Sequence, residues 1–284
     1  MDKILQDNNF SFKKQFGQNF ISDKNLLKAI VREGEINSSD EVLEIGPGAG
    51  SLTEELLNVA KKVVSYEIDK DLIPVLTQKF EGKENFTLIN CDIMKADIKD
   101  IERNFSGKYS LVANLPYYIT SPIIFKFLQQ STSLKSLYIM VQKEVGERIC
   151  SKCGTKDYGV FSVIVDSYCD PKITRIVPRN MFYPVPNVDS CMVKLEIKED
   201  KYKIQDRAKL ESFIKACFVM RRKKLTNNLE KVLTLSKTEI ANKLQSLGFS
   251  PDIRAEEITT AQFIQIFDNF YNNITIKSSR QERD

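Results

Sequence analysis

The 284-residue chain contains no histidine, which removes Ser-His-Asp and Cys-His nucleophilic sites from consideration. Its chemistry has to run on carboxylates, amides, aromatics or backbone groups. Six cysteines are present, at positions 91, 150, 153, 169, 191 and 217, scattered as free cytosolic thiols are. Cys150 and Cys153 form a single C-x-x-C pair, whereas a zinc site calls for a second pair or for histidine, so no metal is expected. Long apolar runs are missing too: none approaches the ~20 residues of a membrane span. The opening MDKILQDNNF has neither an apolar stretch nor a small-residue cleavage site, which argues against a secretory leader. The expectation is a cytoplasmic monomer with no membrane partner. Internal repeats and low-complexity segments are absent.

What is there begins with charge. The formal net charge is +4 and the pI about 8.6, mildly basic and in itself no sign of nucleic-acid binding. The distribution says more: Arg221, Arg222, Lys223 and Lys224 form an unbroken run, and Lys13 and Lys14 a shorter one. Such a run is most often a solvated face.

Apolar strands alternate with helical segments over residues 41–196. Glu41–Ile45 reads as a buried strand, followed by a glycine turn and a helix over 52–58. Further strands are expected at 63–68, 86–90, 109–113 and 136–141, with Asp69 capping a helix that runs to Phe80. Alternation of this kind predicts an α/β, Rossmann-like, mostly parallel sheet with helices on both faces. A late strand over 187–196 is expected to close the sheet antiparallel. Beyond Glu199 the pattern becomes helical, with Leu210, Phe213, Ile214, Cys217 and Phe218 on one stripe. Ser236 with Glu239, and Thr259 with Gln262, fit capping boxes, and Gly248 fits a helix stop. The domains expected are 1–200, catalytic, and 201–284, small and all-helical, with a frayed tail from Ile276.

Glu44-Ile-Gly46-Pro-Gly48-Ala-Gly50 lies directly after the first long strand. Alone it is a tight turn as readily as a ligand loop. Glu67 ends the next strand, twenty-one residues past Gly46, where an acid can bind ribose hydroxyls. Asp92 follows the third strand, where a carboxylate can accept from an adenine amino group. Either acid alone is as readily a solvated strand end; together they point to a nucleoside site. The turn lacks the third glycine at dinucleotide spacing, which favours S-adenosylmethionine over NAD.

Asn114-Leu115-Pro116-Tyr117 ends the fourth strand. The exocyclic nitrogen of adenine is a poor nucleophile because its lone pair is delocalised into the ring. Two acceptors on its hydrogens, the Asn114 side-chain oxygen and the Leu115 carbonyl, would pyramidalise it and aim the lone pair at a methyl donor. Pro116 stiffens the loop, and Tyr117 can stack on an extruded base. The plainer alternative is a proline turn with a buried tyrosine.

These motifs, with Lys14-Gln-Phe-Gly-Gln-Asn-Phe20, Gln142-Lys-Glu-Val145, Phe182-Tyr-Pro-Val-Pro186, Val188-Asp-Ser190 and Phe218-Val-Met-Arg-Arg-Lys-Lys-Leu225, resemble those of the ribosomal RNA adenine N6-dimethyltransferases, in particular their bacterial small-subunit branch. The resemblance spans nearly the whole chain, and the set in this order is highly specific. It implies that Asn19 and the Ile21 backbone contact S-adenosylmethionine from an N-terminal segment folded over it. Gly46 would lie against the cofactor, Glu67 hold the ribose, Asp92 the adenine, and Asn114 both cofactor and target amine. Phe182 would sandwich the base against Tyr117, and Arg221, Arg222, Lys223 and Lys224 would bind RNA phosphates. The implied partner is 16S rRNA in the small (30S) subunit, at two adjacent adenosines in its terminal hairpin loop.

Rival readings remain at this level. A macrolide-resistance dimethyltransferase of large-subunit rRNA shares the cofactor and N-x-P-Y signatures, but Arg221–Leu225 and Val188–Ser190 favour the small-subunit branch. A DNA adenine methyltransferase would carry a target-recognition domain. A non-catalytic assembly factor would not need Asn114, Tyr117 and both carboxylates intact. An oxidoreductase is the weakest of the four.

Overall fold

A computed structural model describes residues 19–199 and 201–275. Lys13, Lys14 and the start of the Lys14–Phe20 motif lie outside the described residues, as does the tail from Ile276. The elements, in chain order, are β1 (Phe20–Ile21), α1 (Lys24–Glu33), β2 (Glu41–Ile45), α2 (Ser51–Leu57), β3 (Lys62–Glu67), α3 (Leu72–Lys79), β4 (Phe86–Asn90), α4 (Ile98–Glu102), β5 (Tyr109–Asn114), α5 (Thr120–Gln130), β6 (Leu134–Gln142), α6 (Lys143–Ile149), α7 (Val160–Tyr168), β7 (Cys169–Val177), β8 (Phe182–Tyr183), β9 (Ser190–Ile197), α8 (Arg207–Cys217), α9 (Leu225–Leu229), α10 (Lys237–Ser246) and α11 (Thr260–Phe270).

The chain divides into two compact units. The first comprises residues 19–146 and 171–197 of the described chain. Its seven-stranded sheet has the order β4-β3-β2-β5-β6-β9-β7. The first five of these strands run parallel, and β9 pairs antiparallel with β6, as expected for 187–196. Every residue of β2 is buried, the mark of a central parallel strand covered on both faces. Its two glutamates are accommodated in different ways. Glu41 accepts from Lys61 Nζ at 2.9 Å and from Ser106 N and Oγ at 2.6 Å. Among the described residues Glu44 accepts from two hydroxyls, Thr53 at 2.8 Å and Ser65 at 2.6 Å.

Three local expectations change. Asp69 does not cap α3, which starts at Leu72; its Oδ1 accepts the Asp71 N–H at 3.2 Å and shapes the turn ahead of the helix. β7 went unread because Asp170, Pro171, Lys172 and Arg175 break its apolar pattern, and such residues are tolerated at a sheet edge, where β7 lies. The antiparallel ladder β1·β8 pairs Phe20 with Tyr183 and Ile21 with Phe182, a contact between segments too short to announce themselves.

The second unit comprises residues 147–170 and 198–275. The expected domains were 1–200 and 201–284; the compact units divide instead at 146/147, 170/171 and 197/198, with Glu147–Asp170 in the second. The physical reason is α7, Val-Phe-Ser-Val-Ile-Val-Asp-Ser-Tyr, a β-branched stretch that forms a helix because packing overrides propensity. It lies against α8 and α11, burying Val163, Ile164 and Val165. Phe213, Phe263, Phe267 and Phe270 are fully buried in the same unit. Both expected capping boxes form, Ser236 with Glu239 and Thr259 with Gln262. Gly248 follows α10 at φ +86°, the left-handed stop expected of it.

Candidate active site

Strand order reverses between β2 and β5, and in open parallel sheets ligands bind at the carboxyl ends of the strands flanking such a point. Register places the sequence-predicted residues there. Ile45 pairs with Ala113 of β5 and Tyr66 of β3, so Gly46, Asn114 and Glu67 leave the sheet side by side. Glu67 pairs with Asn90 of β4, which brings Asp92 to the next position along the edge. A cavity of about 210 Å³ opens there, lined by Asn19, Ile21, Gly46, Glu67, Asp92 and the Asn114–Tyr117 loop.

The glycine turn is held from below. Gly46 N–H donates to the Tyr66 carbonyl at 2.9 Å, and Gly48 N–H to Glu67 Oε2 at 3.3 Å. Gly48 has φ +57°, and a Cβ on it would lie 2.5 Å from the Phe20 ring, so both backbone angle and space demand glycine. Glu67 also accepts Asp69 N–H at 2.8 Å through Oε1 and retains lone pairs for a further donor. Burial raises its pKa, against the backbone N–H groups of Asp69 and Gly48. Beneath it, Glu44 also lines the cavity. It is fully buried, and its Oε1 lacks a hydrogen-bond partner among the described residues. Burial pushes its pKa up to about 7, with the Ser65 and Thr53 hydroxyls opposing and the Glu67 charge adding to the rise.

On the other side of the switch point, Asn114 Nδ2 donates to the Asn19 carbonyl at 2.8 Å. That bond fixes the amide so that Oδ1 is the acceptor left over. The Pro116 carbonyl accepts from Ile119 N–H at 3.1 Å and Thr120 Oγ1 at 3.4 Å, closing the loop into a turn. Tyr117 is half-buried, and its hydroxyl shares a 2.9 Å hydrogen bond with Ser190 Oγ. Ser190 is the last residue of the Val188-Asp-Ser190 motif, whose place in the molecule sequence reasoning missed. Asp189 serves nearby, its carboxylate accepting Arg179 N–H at 2.9 Å.

Phe182 departs from expectation. It is 3% exposed, belongs to the core cluster with Ile21, Val177 and Met192, and does not line the cavity. On a two-residue ladder, side chains alternate: Phe182 turns inward opposite Ile21, and Tyr183 turns out. The aromatics at the cavity are Phe20, Tyr66, Tyr117 and Tyr118; Tyr118, 63% exposed, carries no role in the sequence reading.

The basic run belongs to the second unit, in the turn between α8 and α9. Arg221 Nε donates to Glu256 at 2.7 Å, and Lys224 pairs with Asp252. Arg222 and Lys223 are exposed. Asn228, buried, donates to the Cys217 carbonyl at 2.6 Å and accepts Met220 N–H at 3.1 Å, pinning both sides of the turn. Among the described residues no cluster of His, Cys, Asp and Glu is suited to hold a metal.

A sheet edge where strand-end acids could meet a nucleoside and an asparagine amide an amino nitrogen fits one class, the S-adenosylmethionine-dependent methyltransferases with a doubly wound sheet. Residues 9–272 match the family described as ribosomal RNA adenine dimethylase. The chain is 41% identical to the ribosomal RNA small subunit methyltransferase A of Clostridium acetobutylicum, covering 95% of this chain and 97% of that one. It is 39% identical to the protein of that name from Clostridioides difficile, covering 95% and 94%. Among solved structures it resembles a dimethyladenosine transferase from Plasmodium falciparum, with TM-score 0.77, 28% identity and coverage of 89% and 98%. The 23S rRNA methyltransferase ErmE gives TM-score 0.70 at 26% identity, with 89% and 100% covered. The chain belongs to the ribosomal RNA adenine dimethylase family and is an S-adenosylmethionine-dependent rRNA adenine dimethyltransferase.

Proposed function

We propose that the chain converts two adjacent adenosines in the 3′-terminal hairpin loop of 16S rRNA, within the small ribosomal subunit, to N6,N6-dimethyladenosine, and acts late in subunit assembly. The relatives named as small-subunit methyltransferases support the choice of subunit; the likeness to ErmE shows that the fold alone does not decide it. The observation that carries the chemistry is the Asn114 amide, anchored through Nδ2 and placed by register beside the glycine turn.

S-adenosylmethionine supplies a methyl group activated by its sulfonium centre. The residues present fit it: a glycine turn open to close approach at Gly46, two acids at successive strand ends, and a buried, unpartnered Glu44 Oε1 in the cavity wall. Glu67 holds the ribose, Asp92 the adenine amine, and Asn19 and Ile21 close over the cofactor. Asn114 Oδ1 and the Leu115 carbonyl take the two hydrogens of the target amine, which orients its lone pair without a strong base. Tyr117, steadied by Ser190, offers the stacking face, while Phe182, which packs in the core with Ile21, is not part of it. Arg222 and Lys223, with Arg221 and Lys224 partly engaged, contact RNA phosphates without reading sequence.

The test is to incubate the protein with labelled S-adenosylmethionine and small subunits from cells lacking the modification, with large subunits in parallel, and to read digested rRNA by mass spectrometry. Dimethyladenosine in small-subunit rRNA alone is the expected result. Label in large-subunit rRNA would overturn the assignment of substrate, and no label with cofactor still bound would favour an assembly factor. A second expectation concerns docking. Replacing Arg222 and Lys223 together by alanine is expected to lower the slope of log K against log salt by up to about 2. An unchanged slope in a filter-binding titration would remove that turn from the footprint.

A further inference from the structure

The loop that carries Asp92 is gripped from outside by a side chain that the methyl-transfer scheme does not use. Lys126, half-buried on α5, donates its three ammonium hydrogens to the carbonyls of Ile93, Met94 and Ala96, at 2.9, 3.0 and 2.5 Å. All its donors are thereby spent on one loop. Among the described residues the ammonium makes no ion pair with the Asp92 carboxylate. Asp92 instead accepts Met94 N–H through Oδ1 at 2.9 Å, and its backbone carbonyl accepts Lys95 and Ala96 N–H. The carboxylate is therefore turned by the same short loop whose carbonyls Lys126 collects, and is left with acceptor capacity towards the cavity that it lines. Burial of the ammonium lowers its pKa, and the nearby charges of Asp92 and Asp97 oppose that shift. Burying a lysine is costly, and a tie between helix and loop alone could be made with apolar residues. A lysine here does what an apolar residue cannot: it draws three carbonyls to one point and fixes the path of the backbone between Asp92 and Asp97.

We propose that Lys126 is a positioning residue for cofactor recognition, which sets the Asp92 carboxylate where it accepts the exocyclic amine of the cofactor's adenine and so makes the site selective for adenine over 6-oxopurine. The proposal rests on the reading of Asp92 as the adenine acceptor. Lys126 lies on the helix that begins at Thr120, directly after the catalytic loop, so the clamp on the adenine loop sits on the element that follows the Asn-Leu-Pro-Tyr turn.

The test measures binding of S-adenosylhomocysteine and of its deaminated analogue S-inosylhomocysteine by calorimetry. The wild-type protein is expected to prefer the adenine form about tenfold or more, since a site built around a hydrogen bond rejects an analogue that lacks it. In Lys126→Met the adenine form is expected to weaken until the two ligands bind almost equally, with the inosine form unchanged within about twofold. A merely structural role would weaken both ligands alike and preserve the ratio, and that result overturns the proposal. Lys126→Arg, which keeps the charge and several donors, is expected to restore part of the ratio. Asp92→Asn measured alongside separates the two readings. If it loses the preference while Lys126→Met keeps it, Lys126 alone is wrong; if Asp92→Asn keeps it, the adenine assignment falls and the role of Lys126 with it. Should Lys126→Met melt at the assay temperature, Lys126→Gln carries the same comparison.

Discussion

Asn114→Ala is expected to lower kcat by about 10²- to 10³-fold, the usual loss when one preorganised group facing the developing charge is removed. RNA affinity in a filter-binding assay should stay within about twofold, because the basic turn proposed to carry docking lies in the other unit. The loss has two parts. Removal of Oδ1 leaves one hydrogen of the target amine without its acceptor. Removal of Nδ2 also frees the Asn19 carbonyl, to which it donates at 2.8 Å. Asn114→Asp separates the parts: it keeps an oxygen for the amine but sets a carboxylate against that carbonyl, so it should weaken cofactor binding while retaining more turnover than alanine. A kcat for Asn114→Ala within about tenfold of wild type would show that Asn114 does not orient the amine.

The second large effect concerns Glu44. Its pKa is pushed up to about 7 by burial, whereas an unfolded glutamate titrates near ~4.3. A carboxyl whose folded pKa is raised adds most to stability below the unfolded value, and that contribution is lost as pH rises through the folded pKa. Ligand-free protein should therefore lose stability between about pH 4.5 and 7.5, by about 4 kcal/mol from this group at 1.36 kcal/mol per unit. Glu44→Gln removes the charge and keeps an acceptor for Thr53 and Ser65. Its melting curve should match wild type at pH 5 and exceed it at pH 8 by about 3 kcal/mol, less than the full amount because its amide takes the place of the unpartnered Oε1. Equal stability of the two proteins at pH 8 would show that Glu44 is ionised at no cost. Glu41, three positions earlier on the same strand, runs the other way. Burial raises its pKa, but hydrogen bonds from Ser106 and Lys61 outweigh burial and hold it at about 2. It stabilises the fold above the unfolded value and loses that effect only as pH falls towards 2.

The cofactor edge could be read from the sequence because each of its residues ends a strand, and strand ends in a parallel sheet are neighbours by construction. Gly46, Glu67, Asp92 and Asn114 are separated in sequence by helices, yet a regular alternation is enough to align them. The contacts that refine the site are of another kind. Asn19 and Asn114 are 95 residues apart, and Tyr117 and Ser190 are 73 apart. No periodicity marks such pairs. Phe182 illustrates the limit: the sequence reading set it against the base, but which way it faces depends on the β1·β8 register, which turns it into the core opposite Ile21, and a shift of one residue would reverse it. In the second unit the helical stripes and capping boxes were plain, because their signals lie within a few residues. α7 was not, because its β-branched residues say strand and only its partners, in sequence beyond residue 200, say helix.

That helical unit is written in two separated stretches, 147–170 and 198–275, and the separation has a consequence for how the protein is made. At ~5–20 residues per second on the ribosome, α7 emerges several seconds before α8 and α11, the helices that cover Val163, Ile164 and Val165. During that interval the nascent chain exposes an apolar helix whose covering partners have not yet been made. An enzyme that methylates ribosomal RNA thus depends, for a short time in its own synthesis, on whatever shields such surfaces near the ribosomal exit.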